Sequence, residues 1–464
     1  MNNLNVPPDI CQEDFGIFHH NDVTNAMFIS FACKPIDSTD RGCAGRSHLR
    51  QNCDVTEIKT DVLVVGAGPA GSSAAAWASR RGREVTIIDS ATFPRDKPCG
   101  DGLTPRAISE LTSLGLGSWL TSRARNLGLR AAGFGQELLL PWPGGSLPSY
   151  GGAAPRMILD ATILGVATDA GATLHQKTAA QDVEMRNDAI SSVIAKTETG
   201  TVKFSANQVI IADGARSQLG RKLNRQWHRD TAYGVAARGY IKSERSDDPW
   251  ISSHLELRNA ENEILSGYGW IFPLGDGEVN IGVGTLATNK RPADINLRSL
   301  LNQYTDQRRD DWKLSGDVQM PWSALLPMGG AVSGVAGRNY MFVGDAAGCV
   351  NPLNGEGIDY GLETGRLAAH LLDEEQDFTK VWPAELRSHY GYAFSIARRL
   401  AGLLTVPGLL PTAGPIGMRS RTLMKLALRV MGNLITEEDK DLLARTWRTA
   451  GRLSIKLDDR PPFS

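Results

Sequence analysis

Apolar residues along the chain gather into short runs, each broken by a glycine-rich turn. Asp61-Val62-Leu63-Val64-Val65 has the apolar continuity of a buried strand. It leads into Gly66-Ala67-Gly68-Pro69-Ala70-Gly71. An alanine-rich stretch over residues 72–81 then predicts a helix that Gly82 ends. Val85-Thr86-Ile87-Ile88 predicts a second strand, closed by Asp89. Two later runs repeat the strand-then-turn pattern: residues 209–211 run into Asp213-Gly214, and residues 340–343 run into Gly344-Asp345. Between them Tyr268, Trp270 and Phe272 alternate, which on a strand puts them on one face. Strands alternating with helices predict an α/β fold.

The opening strand, turn, helix and strand carry the spacing GxGxxG in the setting that binds a dinucleotide. Gly66 permits the tight turn, Gly68 lets the backbone approach a pyrophosphate, and Gly71 lets the helix pack on the strand. Ala70 completes this contact surface, and the helix N-terminus favours the phosphate charge. Asp89, 18 residues past Gly71, is placed to bind ribose hydroxyls. The pattern alone does not separate NAD from FAD. No second GxGxxG lies in such a setting, since Gly282-Val283-Gly284 runs into Thr-Leu-Ala. An NAD(P)H donor would therefore bind transiently without its own Rossmann domain; a small redox protein is the alternative.

The C-terminal pattern differs. Residues 386–436 hold no acidic residue but carry Arg387, Arg398, Arg399, Arg419, Arg421, Lys425 and Arg429. Residues 400–418 are uncharged, yet Pro407, Pro411 and Pro415 recur every four residues, which argues against a transmembrane helix. Leu423, Leu426, Ala427, Val430, Met431 and Leu434 share a helical face opposite Arg421, Lys425 and Arg429. That predicts either an interfacial element over anionic lipid or a core-covering helix with a solvated basic face.

Composition adds limits. With 464 residues, 50 Lys+Arg against 51 Asp+Glu, and 41% hydrophobic residues, the chain is a near-neutral globular protein, not a nucleic-acid binder by bulk charge. Its 49 glycines follow no collagen-like period and mark turns. Of six cysteines, Cys11, Cys33, Cys43 and Cys53 precede residue 54; only Cys99 and Cys349 follow, as in a reduced cytoplasmic body. The leading cysteines lack a zinc spacing, and no metal site is expected. Residues 1–57 have no sustained period. They read as a disordered or non-native extension, and the apolar residues 26–32 are too short for a span.

The three strand-turn segments, with Asn351-Pro352 and Gly355-Glu356-Gly357-Ile358, resemble FAD-dependent enzymes of the para-hydroxybenzoate hydroxylase fold. Pro94…Pro98-Cys99-Gly100-Asp101-Gly102 and Tyr268-Gly269-Trp270-Ile271-Phe272-Pro273 narrow this to a resemblance to the geranylgeranyl reductase family. Ser323 to Gly330 and the ending Arg460-Pro461-Pro462-Phe463-Ser464 are similar to the members that saturate one isoprene unit of the menaquinone side chain. Flavin halogenases carry Trp-x-Trp-x-Ile-Pro, so Tyr268 and Phe272 disfavour halogenation. Gly348 stands where many hydroxylases have His.

The resemblance implies FAD as cofactor. Asp345 would contact the ribityl chain, with Asp213 in the same set. Gly357 and Ile358 would open a helix aimed at the flavin ring. Cys99, Gly100 and Gly102 would lie against the flavin, and Arg156 and Ala180 at its ribose–phosphate and adenine ends. Tyr268, Trp270 and Phe272 would line an apolar slot for a prenyl chain, or simply pack the sheet. An isolated alkene needs an acid beside the hydride donor; Cys99, Asp101 and Tyr268 are the candidates, with Cys99 alternatively a small packing residue. The implied partner is a prenylated quinone or other isoprenoid lipid, met at the inner face of the cell membrane through residues 386–436. Reduction of geranylgeranyl diphosphate, a flavin monooxygenase and a non-catalytic prenyl-protein carrier are the competing readings.

The expected architecture is an FAD-binding Rossmann-like domain (residues 58–130, 151–224 and 335–385), an antiparallel-sheet substrate lobe (131–150 and 225–334) and a helical C-terminal region (386–464). Residues 141–155 are expected as a long loop at the pocket mouth.

Overall fold

The computed structural model describes residues 56–464, so the expectations for the leading cysteines and residues 26–32 lie outside the described residues. The first strand, Thr56–Val65, starts earlier than the apolar run alone implies. Its polar first half is held by parallel pairing along Gly200–Ile211, from Thr56 against Val202 to Val65 against Ile211. On its other side lies Val85–Ile88, which pairs in turn with Thr173–His175. Gly200–Ile211 carries Tyr340–Phe342 beyond. These strands form the parallel centre of an eight-stranded sheet, and Ala179–Arg186 and Ala189–Thr197 join it as an antiparallel meander. Val62, Leu63, Val64, Ile87 and Ile88 are fully buried because helices cover the sheet, as parallel strands require.

The second layer is a seven-stranded sheet, antiparallel but for one parallel pair between Trp250–His254 and Gly128–Gly133. Its centre is Tyr233–Ser243, Glu278–Ala287 and Gly267–Pro273. Gly128–Gly133 lies wholly in this sheet and so crosses the expected break at residue 130, while Phe378–Leu386 crosses the one at 385. The stretch 141–155 is not one loop: Gly151–Ala153 pairs with both Gly102–Leu103 and Ala124–Asn126, and Trp142 is buried, donating to Asn126 Oδ1 at 2.6 Å.

No single helix among the described residues is long and apolar enough to cross a membrane. A pair bent by 111°, Phe378–Leu404 with Leu409–Met418, meets the length and composition only jointly. The prolines do not prevent helix here. Pro411 sits in the first turn, where no intrahelical donor is needed, and Pro415 is accommodated inside Leu409–Met418.

The predicted division of the next helix into one apolar and one basic face is corrected. In Arg421–Met431, Leu428 and Met424 pack inward against Leu129, Leu138 and Leu140, while Leu423 and Leu426 project to solvent. Three of the seven cations named in the acid-free stretch are paired with acids from beyond it. Arg429 pairs with Asp441 at 2.7 Å, and Arg398 and Arg399 share Asp458 at 3.3 and 2.7 Å.

Candidate functional site

Around the first turn, exposure alternates: Gly66, Gly68 and Ala70 keep accessible surface while Val65, Ala67, Pro69 and Gly71 are buried. Gly66 has φ +102°, and a Cβ there would stand 2.4 Å from the Ala212 carbonyl oxygen. At Gly71 it would stand 1.8 Å from the Gly66 oxygen. Gly68 is different, because a Cβ would meet only Arg95 Nη2 at 3.5 Å. Its missing side chain therefore makes room for something that is not part of the chain. The helix Pro69–Arg80 begins there with no side-chain cap, so its first N–H groups face that room. Asp89 holds the turn by accepting from Ala67 N at 2.7 Å and Ala91 N at 2.8 Å. Its carbonyl accepts from Thr178 N at 2.8 Å, which brings the segment leading to Ala180 alongside.

A second surface repeats this design. From Met341 to Leu353 only Asp345 keeps accessible surface, and Lys97 Nζ lies 3.5 Å from its Oδ2. Gly357 precedes the helix Ile358–Glu374, again without a side-chain cap, and a Cβ on it would lie 3.2 Å from Asp345 Oδ1. Asp213 is turned inward: Oδ2 accepts from Leu219 N at 3.1 Å, Oδ1 is buried without a partner, and burial raises its pKa. Two uncapped helix starts, the open approach at Gly68 and the Asp345 carboxylate between them fit a flavin dinucleotide.

The loop from Cys99 to Gly102 joins the two layers. Asp101 is fully buried with φ +61°. Its Oδ2 accepts from the Tyr240 hydroxyl at 2.7 Å and Asn280 Nδ2 at 3.0 Å, and Oδ1 has no partner. Burial dominates these bonds and pushes its pKa up to about 6. Asn280 also donates to the Cys99 carbonyl at 2.8 Å and accepts from Trp270 Nε1 at 2.9 Å. Arg238, buried in the lobe sheet, reaches the same loop with bonds to Cys99 O at 3.0 Å, Lys97 O at 2.6 Å and Asp96 at 2.6 Å. Burial raises the Cys99 thiol pKa, with Arg156 opposing it. Arg156 is buried and makes a two-pronged pair with Asp160, both bonds 2.6 Å.

Tyr268, Trp270 and Phe272 do form one row, with ring centroids 5.9 and 6.3 Å apart, and the row faces this loop. Phe272 lies on the glycines: a Cβ at Gly100 or Gly102 would come 3.2 or 2.9 Å from its Cε2. Trp270 is buried against Gly282, whose Cβ would stand 2.1 Å from the ring. Tyr268 is half-buried and donates to the Asn354 carbonyl at 2.6 Å.

The structure thus gathers Cys99, Gly100, Asp101, Gly102, Tyr268, Trp270 and Phe272 around one loop, with Asp345, Gly357 and Ile358 on a second surface. Gly66, Gly68, Ala70, Gly71, Asp89 and Ala180 form the first, and the Asp213 backbone lies against it, its N 3.2 Å from where a Gly66 Cβ would stand. Sequence reasoning missed Tyr240, Asn280 and Arg238. Arg238 and Asn280 had a signal, each being a polar residue flanked on both sides by apolar or glycine residues inside a strand. Glu356, Asp359 and Thr104 were also missed; Thr104 Oγ1 bonds Glu356 Oε1.

Residues 59–374 match the FAD binding domain family. The chain is 60% identical over 404 residues to a menaquinone reductase of Mycobacterium tuberculosis, covering 87% of this chain and 98% of the relative. It is 58% identical over 408 residues to a menaquinone reductase of Mycolicibacterium smegmatis, covering 88% and 99%. Among solved structures, a geranylgeranyl bacteriochlorophyll reductase-like protein of Thermoplasma acidophilum superposes with a TM-score of 0.65 at 21% identity, over 86% of this chain and 98% of that one, which shows the shared fold.

Proposed function

We propose, for a chain that belongs to the FAD-binding-domain family and within it to the menaquinone reductases, that it saturates one isoprenoid double bond in the side chain of menaquinone. The observation that carries this reading is identity of 60% sustained over 98% of the relative's length. When bound and reduced, FAD supplies the hydride for one alkene carbon. Gly66, Gly68, Ala70, Gly71 and Asp89 hold the adenosine diphosphate end, with Arg156 and Ala180 beside it. Asp213, Asp345, Gly357 and Ile358 hold the ribityl and ring end, against Cys99, Gly100 and Gly102.

The row Tyr268, Trp270 and Phe272 forms the apolar wall that guides the prenyl chain, with Trp270 set back to fix Asn280. Because an isolated alkene has no carbonyl to stabilise a carbanion, protonation must accompany hydride delivery in a dry site. Cys99, Tyr268 and Asp101 all border this space. The Tyr268 proton is committed to the Asn354 carbonyl, and Asp101 to holding Tyr240 and Asn280. We assign these two to shaping the site and the neutral Cys99 thiol to packing at the flavin.

A quinone suits the site better than a diphosphate. Arg156, Arg238 and Arg106 are spent on Asp160, on Asp96 with loop carbonyls, and on Glu363. No free basic cluster therefore borders the loop among the described residues. The enzyme works at the cytoplasmic face of the membrane, with NAD(P)H or a small redox protein reducing it. The exposed apolar side chains Leu403, Ile416 and Leu423, at 51%, 64% and 48% exposure, support peripheral contact through residues 386–436 better than charge does.

Mass spectrometry of the menaquinone pool, in cells with and without the protein, is expected to show a two-hydrogen increase that depends on it. An unchanged pool overturns the reading, and substrate-coupled oxygen consumption would put a monooxygenase in its place. Replacing Leu403, Ile416 and Leu423 with Ser is expected to reduce flotation with lipid vesicles; equal flotation counts against membrane contact.

A further inference from the structure

The helix that starts at Gly357 carries two acids at its head that the roles above leave unused. Glu356 lies immediately before it and Asp359 in its first turn. Glu356 is half-buried, as are Gly355, Gly357, Tyr268, Cys99, Gly100 and Gly102, while Asp101, Leu103, Trp270, Leu353 and Ile358 around them are buried. Bonds tie the glycine loop and the aromatic row to the Glu356 segment, through Thr104 to Glu356 and through Tyr268 to Asn354. Three elements position the Glu356 carboxyl there. Thr104, the cap of the helix Pro105–Leu111 and two residues past Gly102, bonds Oε1. Asn354 Nδ2 lies 3.5 Å from Oε2, and Asn354 Oδ1 accepts from the Glu356 backbone N at 2.9 Å. Tyr268, on the lobe strand, bonds the carbonyl of that same Asn354.

The second acid explains the state of the first. Asp359 is fully buried and neither of its carboxylate oxygens has a partner. The cation nearest in sequence to Thr104, Arg106, is already bonded to Glu363 at 3.2 Å. Glu363 on the same helix and Glu110 on Pro105–Leu111 add negative charge, both facing Arg366. Burial first, then the like charge of Asp359, pushes the Glu356 pKa well up, and burial pushes Asp359 to about 7. A carboxyl in such company stays neutral, as a proton donor must.

The geometry points to Glu356 as the acid that protonates the alkene carbon not attacked by hydride, with Asp359 as the positioning residue that keeps it protonated. This rests on the prenyl-reductase reading and names the acid that reading requires. In the step, the Glu356 O–H bond breaks as a C–H bond forms on one alkene carbon. The other carbon takes a hydride from the reduced flavin, which loses two electrons. The carboxylate left behind recovers its proton from water between turnovers. The prenyl chain then lies between the aromatic row and this carboxyl, which Tyr268 and Asn354 tie together.

Holoenzyme is reduced anaerobically and mixed with menaquinone, and flavin reoxidation is followed by absorbance over a pH range. Wild type is expected to lose rate as pH rises and Glu356 ionises. Glu356→Gln is expected to bind FAD and be reduced normally, but to reoxidise at least about 100-fold more slowly, with a flat pH profile. Asp359→Asn removes the like charge, so the falling limb is expected at lower pH. Infrared spectra of the FAD-free protein give an independent readout: the protonated-carboxyl band that persists once pH has risen past the range where Asp101 and Asp359 ionise should be lost in Glu356→Gln. Reoxidation of Glu356→Gln at the wild-type rate, or an unchanged carboxyl band, overturns the proposal. If Glu356→Gln fails to hold FAD, the Asp359→Asn limb and the wild-type band decide alone. Failure of wild type itself to reoxidise with menaquinone would instead overturn the substrate reading.

Discussion

Two glycine loops meet at the flavin region, and their glycines are small for different reasons. In the turn from Gly66 to Gly71, the outer two glycines are required by the protein's own backbone, at 2.4 Å from Ala212 and 1.8 Å from Gly66, whereas Gly68 faces open space. In the loop from Cys99 to Gly102, the glycines are required by a neighbour 170 residues away in sequence, since Gly102 would meet Phe272 at 2.9 Å. The first loop is a cradle kept open for a cofactor. The second is a hinge-plate between two sheets, filled by aromatic side chains and fixed by the Tyr240–Asp101–Asn280–Trp270 chain of bonds. Cofactor binding and lobe attachment should therefore respond separately to mutation.

The sharpest way to break that distinction is Gly68→Ala. Its φ of −73° suits alanine, and in the FAD-free protein the new methyl meets nothing closer than 3.5 Å. Stability of the FAD-free protein should hold within about 0.5 kcal/mol. FAD affinity should fall about 1,000-fold, or about 4 kcal/mol, because the methyl occupies the pyrophosphate approach. Titration calorimetry and urea unfolding measure the two separately. Normal FAD affinity would mean that the open space at Gly68 is not the phosphate site.

The same contrast explains what could be read from the chain. The Gly66–Asp89 unit is closed by local contacts, Asp89 accepting from Ala67 N and Gly71 packing on the Gly66 carbonyl, so its strands, helix and closing acid were all legible; the fit of Gly66 against Ala212 was not, being distant in the chain. The loop at Cys99 was legible only as a motif. Its glycines also meet Phe272, a packing role hidden in the sequence because a loop cannot be paired by periodicity with a strand 170 residues away. Trp270 read as a slot wall, but its indole N–H is committed to Asn280, which no pattern of apolar positions encodes. The basic stretch was partly illegible for a similar reason: Asp439, Asp441 and Asp458 pair with Arg398, Arg399 and Arg429 from beyond its end.

The next largest effect belongs to the hinge-plate. Asp101 has its pKa raised from 3.8 to about 6 by burial. A carboxyl whose folded pKa is raised favours the fold when protonated. Its contribution is therefore fully present below about pH 4 and is lost as pH rises through about 6. Asp101→Asn, which tolerates the same positive φ, removes this dependence. Between pH 4 and 7, wild type should lose up to about 3 kcal/mol relative to Asp101→Asn, measured by urea unfolding of the FAD-free proteins at each pH. Parallel pH profiles would mean that Asp101 is ionised in the fold and not isolated from solvent.

A smaller effect is expected at Gly102. Because the atom in the way is the edge of an aromatic ring and not backbone, Phe272 can tilt, and Gly102→Ala should cost about 1–2 kcal/mol. FAD affinity should change far less than in Gly68→Ala. If Gly102→Ala instead abolished FAD binding while leaving stability intact, the two loops would have exchanged roles.

The finest discrimination lies within the row of aromatics. Trp270→Phe keeps a ring against Gly282 and deletes only the donor to Asn280, so it should cost about 1 kcal/mol. Asn280→Ala should cost more, because it also strips a donor from Asp101 and another from the Cys99 carbonyl. In a double-mutant cycle the two should couple by about 1 kcal/mol, as groups in one buried network do. Additive costs would mean that Trp270 is held by its fit against Gly282 alone. The wall facing the prenyl chain and the anchor of the Cys99 loop would then be mechanically independent, which the bond at 2.9 Å argues against.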